Sequence, residues 1–161
     1  MVPIPIEWNS ATAELGHNGA VTLRAADIET AAANLAGVAR RTELIRNDRL
    51  SDLTGAEVLL KREDQQPVFS FKLRGAYNKM AQLTEAQKKK GVICASAGNH
   101  AQGVALGAKR MGLKSVIVMP TPTPQLKVDA VKRLGGEVVL AGESYSDAYG
   151  HAKKPEAQKG M

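Results

Sequence analysis

The chain has 161 residues, 43% of them apolar, which suffices for one core of ordinary domain size and excludes two large domains. Aromatics make up only 4% while small aliphatic residues abound, as expected where helices lie close on a buried sheet, so an α/β architecture follows. The formal charge of +6, from 22 basic and 16 acidic residues, does not separate nucleic acid, anionic metabolites and plain solubility as its cause, whereas the single cysteine, Cys94, excludes an intramolecular disulfide and points to a cytoplasmic protein.

Residues 1–20 mix Pro, Gly, Asn and Ser without periodicity and read as a mobile N-terminal arm. Met1–Trp8 lacks the basic start of a signal peptide, and no later run approaches the ~18 apolar residues of a membrane helix, so neither secretion nor a membrane is expected. Residues 21–150 read as one α/β domain. Asp27 is expected to cap a short helix carrying Ile28, Ala31, Ala32 and Leu35 on one face and stopping at Gly37. Glu57–Lys61 reads as a buried strand, and Gly75–Leu83 as a helix with Ala76, Met80 and Leu83 aligned, which sets Lys72 at a loop-to-helix junction. Val92–Ala95 is the next strand. A helix over Asn99–Met111 follows, with Ala101, Val104, Ala105 and Ala108 inward and Gly112 as its stop. Ser115–Met119 is a strand, Pro124 opens a helix running to Leu134, Gly135-Gly136 end it, and Val138–Leu140 is a further strand. Strands alternating with helices imply parallel pairing and right-handed crossovers, hence an open parallel sheet with flanking helices. Ser144 is expected to cap another helix with Asp147 three residues on, Pro155 to stop it, and residues 151–161 to form a disordered basic tail. One helix after a strand seldom completes such a fold, so the chain reads as the N-terminal part of a longer one.

Two segments carry chemistry. In Ser70-Phe71-Lys72-Leu73-Arg74-Gly75-Ala76, Lys72 offers an amine that can condense with a carbonyl once it sheds its proton. Phe71 and Leu73 are expected to desolvate it, Arg74 to place a positive charge nearby and the helix start to repel a cation, all of which disfavour charge there. In Ser96-Ala97-Gly98-Asn99-His100, small residues at a strand's end bring backbone N–H groups to a helix N-terminus, which makes a site for a carboxylate or a phosphate. Ser96, Asn99 and His100 add side-chain hydrogen bonds; the bland alternative is an ordinary turn in which Asn99 caps the helix. Gly98, Gly103 and Gly107 lack the spacing of a dinucleotide loop, and no nucleotide-binding lysine loop occurs. His17, His100 and His151 are scattered, so no metal site is expected, and Cys94 lies inside an apolar strand as a packing residue. Lys88-Lys89-Lys90 carries no interleaved aromatic and reads as a solvated helix face rather than a nucleic-acid contact.

With these segments in view, the sequence resembles the fold type II pyridoxal-phosphate enzymes, and among them the biosynthetic threonine dehydratases. The likeness runs from about Thr22 to Ala148. It rests on Leu60–Pro67 ahead of Ser-Phe-Lys-Leu-Arg-Gly-Ala, on Ala95–Ala105, on Met119-Pro120-Thr121 and on Lys127–Val131. It implies that Lys72 forms the Schiff base with pyridoxal 5'-phosphate, that Asn99 bonds the cofactor's ring hydroxyl and that Phe71 packs beside the ring. Ser96, Gly98, Asn99 and His100 would then cradle a substrate carboxylate. The implied reaction converts L-threonine to 2-oxobutyrate and ammonia, in isoleucine biosynthesis, in a protein that is a homo-oligomer at full length. Serine racemase, serine/threonine dehydratases and cysteine-synthase-like enzymes share the pattern and are the rivals of the same class. A non-catalytic anion-binding module is the rival of another. Glu43 stands where such proteins usually have proline, and Phe69 where a basic residue commonly precedes the serine. Their later glycine-rich loop for the cofactor phosphate has no match here, so this chain is not expected to catalyse alone.

Overall fold

The computed structural model describes residues 23–159, with side chains through Lys154, and the arm expected over residues 1–20 lies outside them. The chain divides into two compact units, residues 1–36 and 37–161. Helix α1 (Ala25–Asn34) belongs to the first. Asp27 is its third residue rather than its cap: the carboxylate accepts from the Arg24 backbone N–H at 2.9 Å, reaching back one turn to the residue that opens the helix.

The second unit begins with elements that differ from the sequence reading. Strand β1 (Leu44–Arg46) pairs antiparallel with β2 (Leu59–Lys61), and helix α2 (Asp48–Thr54) joins them. The buried strand expected over Glu57–Lys61 is therefore three residues long, with Leu59 exposed and outside the parallel sheet. Helices α3 (Lys72–Ala81) and α4 (Glu85–Lys90) follow, the second closed at its start by a reciprocal Thr84–Gln87 capping box. Helix α3 starts three residues before Gly75, so Lys72 is its first helical residue.

From here the expected alternation holds. Strands β3 (Val92–Ala95), β4 (Ser115–Met119) and β5 (Glu137–Leu140) form a parallel sheet in the order β3-β4-β5, with helices α5 (Asn99–Met111) and α6 (Gln125–Arg133) as crossovers. Gly112 leaves α5 in the left-handed conformation at φ 67°, which glycine alone adopts without strain. The period-2 alternation of β4 divides the core between two faces. Ile117 and Met119 pack with Ala101, Val104, Ala105 and Ala108 of α5 and with Val128 and Val131 of α6. Val116 and Val118 pack on the other face against Ala148 and Ala152 of α7 (Tyr145–Lys159). Successive helices thus cover first one face and then the other, the doubly wound arrangement.

Helix α7 starts as expected. Asp147 accepts from the Ser144 N–H at 3.0 Å and its own N–H donates to Ser144 Oγ at 3.2 Å. It does not end as expected, because the helix continues through Pro155 to Lys159 instead of fraying from His151 onward. Proline there withholds one N–H from the carbonyl of exposed His151, which water can satisfy.

Candidate active site

Lys72 opens α3 at the point where that helix meets α5. Leu73, Ala76 and Met80 turn into the core, so Lys72 is left exposed on the solvent side of the first turn. Its Nζ stands 4.8 Å from the centroid of the Phe71 ring, itself 57% exposed. The desolvation expected from Leu73 and Phe71 is accordingly small, since one points inward and the other outward. Close approach of the helices depends on Gly103: a Cβ there would sit 3.0 Å from both the carbonyl carbon and the oxygen of Lys72. One turn before Gly103 lies the anion loop.

In that loop Gly98 precedes the first helical residue and no side chain caps α5. Asn99 is the first helical residue and does not act as the cap. The Ser96 N–H is bound to the Val118 carbonyl at 3.0 Å, while Ser96 Oγ accepts from the Gly98 N–H at 3.4 Å and folds the turn on itself. Among the described residues, no side chain therefore caps the leading N–H groups of α5 at the positive end of this 13-residue helix. His100, second in the helix, is held below the usual histidine range by desolvation and then by the positive charge of Lys72. The structure thus brings Lys72, Phe71 and His100 to one place and sets Ser96, Gly98 and Asn99 on the turn leading into it.

Arg74 does something the sequence did not suggest. Its guanidinium forms a fork with Glu63, Nε to Oε2 at 2.9 Å and NH2 to Oε1 at 2.8 Å, so its charge is compensated rather than free beside the lysine. Glu63 also accepts from Thr42 Oγ1 and Gln66 Nε2. Phe69 adopts φ 55°, a left-handed conformation costly for an aromatic residue, and among the described residues Ser70 Oγ is a buried side-chain oxygen with no hydrogen-bond partner. No single-sequence signal connects residues 42, 63, 66 and 74, because their meeting depends on tertiary folding.

A mostly apolar cavity of about 340 Å³ runs between α3, α4, α5 and the edge of β3 that pairs with no other strand among the described residues. It shares His100 with the site but is not lined by Lys72 or Asn99. Cys94 borders it, with burial pushing the thiol up to about 12, so it is inert as a nucleophile at neutral pH.

Residues 35–161 match the model of a family described as pyridoxal-phosphate dependent enzyme. The chain belongs to that family. Among relatives, L-threonine dehydratase biosynthetic IlvA of Burkholderia multivorans is 61% identical over 127 residues, covering 77% of this chain and 25% of the relative. Threonine dehydratase 1 biosynthetic, chloroplastic, of Solanum lycopersicum is 58% identical over 123 residues, covering 76% of the chain and 20% of the relative. Of solved structures, processed threonine deaminase isoform 2 of Solanum lycopersicum superposes with a TM-score of 0.76 at 40% identity, over 100% of this chain and 47% of that one. Maize serine racemase gives 0.78 at 34% identity, over 83% and 41%. The chain therefore spans a fifth to a quarter of these two curated relatives' length. Its architecture is the α/β fold of the pyridoxal-phosphate dependent enzymes, and its residues suit the cofactor: an accessible amine, an uncapped helix start for an anion, and a buried hydroxyl that lacks a partner.

Proposed function

We propose that this chain is the lysine-bearing part of a pyridoxal-phosphate dependent threonine ammonia-lyase, which turns L-threonine into 2-oxobutyrate and ammonia. What supports this reading is the packing of the Lys72 backbone on Gly103, one turn after the uncapped start of α5, with the lysine's positive charge felt at His100. In this reading Lys72 holds the cofactor's aldehyde carbon and later exchanges a proton at the substrate Cα. Phe71 would lie beside the ring, and Asn99 would meet its hydroxyl. Ser96, Gly98, Asn99 and His100 hold the substrate carboxylate with N–H and side-chain donors aimed at one anion. Pyridoxal phosphate, when bound, supplies the electron sink that makes the Cα proton removable. A homo-oligomer and a cytoplasmic location belong to the same reading, although three plant relatives are chloroplastic by name.

The test is 2-oxo acid formation by the complete protein, with the later phosphate-binding segments present and pyridoxal phosphate added, comparing threonine with serine. A higher kcat/KM for threonine supports the assignment, and a higher value for serine replaces it with the serine enzymes. Failure with both, together with carboxylate binding that a Ser96→Ala change weakens, replaces it with the non-catalytic module.

A further inference from the structure

Three stretches of chain meet at Glu63. Its Oε1 accepts from Thr42 Oγ1 at 2.6 Å and from Arg74 NH2 at 2.8 Å; its Oε2 accepts from Arg74 Nε at 2.9 Å and from Gln66 Nε2 at 3.1 Å. The same partners close a second ring on the backbone of Arg40. Its carbonyl accepts from Arg74 NH2 at 2.9 Å and Gln66 Nε2 at 2.8 Å, and its N–H donates to Gln66 Oε1 at 2.9 Å. Thr42 and Gln66 are buried and Glu63 is largely so. Such a network is stiff, because moving any member strands a charge or a buried polar atom.

Lys72 lies between the two anchors. Gln66 fixes the chain before residues 67–71, and Arg74 fixes the first turn of α3 two residues after the lysine. Residues two apart on a helix point in nearly opposite directions, so the fork that draws Arg74 toward Glu63 turns Lys72 away from it, and the lysine's positive charge is felt at His100. Between the anchors the strained Phe69 is held by its N–H bond to the Gln66 carbonyl at 2.7 Å. Strain of this kind persists only where the surroundings over-determine the backbone.

We propose that Glu63 is a positioning residue for the Lys72 amine, setting the rotation of the first turn of α3 through Arg74 and the path of residues 67–71 through Gln66. The inference rests on the reading of Lys72 as the cofactor lysine. It assigns Glu63 no contact with cofactor or substrate.

The test uses the 161-residue chain as wild type, Glu63→Gln, Glu63→Asp and Arg74→Lys. Each is incubated with pyridoxal phosphate, reduced with borohydride and mapped by mass spectrometry, with Lys153 as the internal reference. The imidazole titration of His100 is followed by NMR in the same proteins. The expected result is preferential labelling of Lys72 in the wild type and a loss of about tenfold in its labelling rate in Glu63→Gln, the scale that a misplacement of under 1 Å produces. Arg74→Lys, which keeps the charge and loses the fork, shows a similar loss, and Glu63→Asp recovers part of the rate. In Glu63→Gln the His100 titration moves up toward the ordinary histidine value as the lysine swings away, a change that lower stability alone does not produce in a folded protein. Unchanged Lys72 labelling and an unchanged His100 titration in folded Glu63→Gln and Arg74→Lys overturn the inference and leave the cofactor lysine standing. Wild-type protein without preference for Lys72 overturns both.

Discussion

A methyl group at residue 103 would collide with the backbone of the lysine it helps to place. The Cβ of Gly103→Ala would lie 3.0 Å from the carbonyl carbon and oxygen of Lys72 and 3.1 Å from the Leu73 nitrogen, all backbone atoms that no rotamer change can move. Ordinary carbon contacts lie at about 3.5–4.0 Å, so α3 must give way by a few tenths of an ångström. Overpacking of this kind costs about 1–3 kcal/mol, while alanine in a helix interior returns up to ~1 kcal/mol relative to glycine. Gly75→Ala is the control. It is also helical, but its Cβ would meet nothing within 4 Å, so only the gain of about 0.5–1 kcal/mol applies. The difference between the two variants removes the propensity contribution and leaves about 1–3 kcal/mol for the contact. Urea unfolding followed by far-ultraviolet circular dichroism measures that difference. Equal stabilities for the two variants would refute the claim that Gly103 sets the distance between α3 and α5.

Other expectations follow from single contacts. Replacing Lys72 by methionine removes the positive charge that helps to depress the His100 imidazole, so its NMR titration should shift upward; no shift would mean that the two side chains do not share a site. Glu63 is held well below the usual carboxylate range, at about 2, chiefly by hydrogen bonding to Arg74. Because its folded value lies below the unfolded value near 4.5, its contribution is fully present above pH 4.5 and is lost as pH falls toward 2. Wild-type stability should drop by on the order of 2 kcal/mol more than that of Glu63→Gln across this window, after allowance for solvent screening, and parallel curves from acid titrations at fixed urea would contradict the pairing. Ser144→Ala should cost about 1 kcal/mol by removing the cap of α7, read as a lower urea midpoint.

The run β3-α5-β4-α6-β5 was legible because its punctuation is local: Gly112, Pro124 and Gly135-Gly136 bracket apolar runs long enough to show their period. Three-residue strands carry no such period, so the sequence offers no sign of β1, and β2 reads as a longer, buried strand than it is. Helix α2 was findable, since Asn47 accepts from the Leu50 N–H at its start and left-handed Gly55 closes it. The start of α3 was placed late because its capping residue is Phe71, which supplies no side-chain cap. At the site, the lysine and the glycine turn declare themselves in sequence through residue type and spacing. The partner of Arg74 does not, since an arginine beside a lysine looks like a free charge until folding carries Glu63 to it. The strain at Phe69 and the unpartnered Ser70 hydroxyl are likewise products of tertiary closure.

The central claim is that Lys72 is the cofactor amine, and the site of its covalent capture tests that most directly. Pyridoxal phosphate reduced onto the wild-type chain should add one label on the peptide containing Lys72, ahead of the other lysines, and that label should vanish in Lys72→Ala without reappearing elsewhere. Labels spread evenly over the surface lysines, or an adduct of equal yield in Lys72→Ala, would contradict the account.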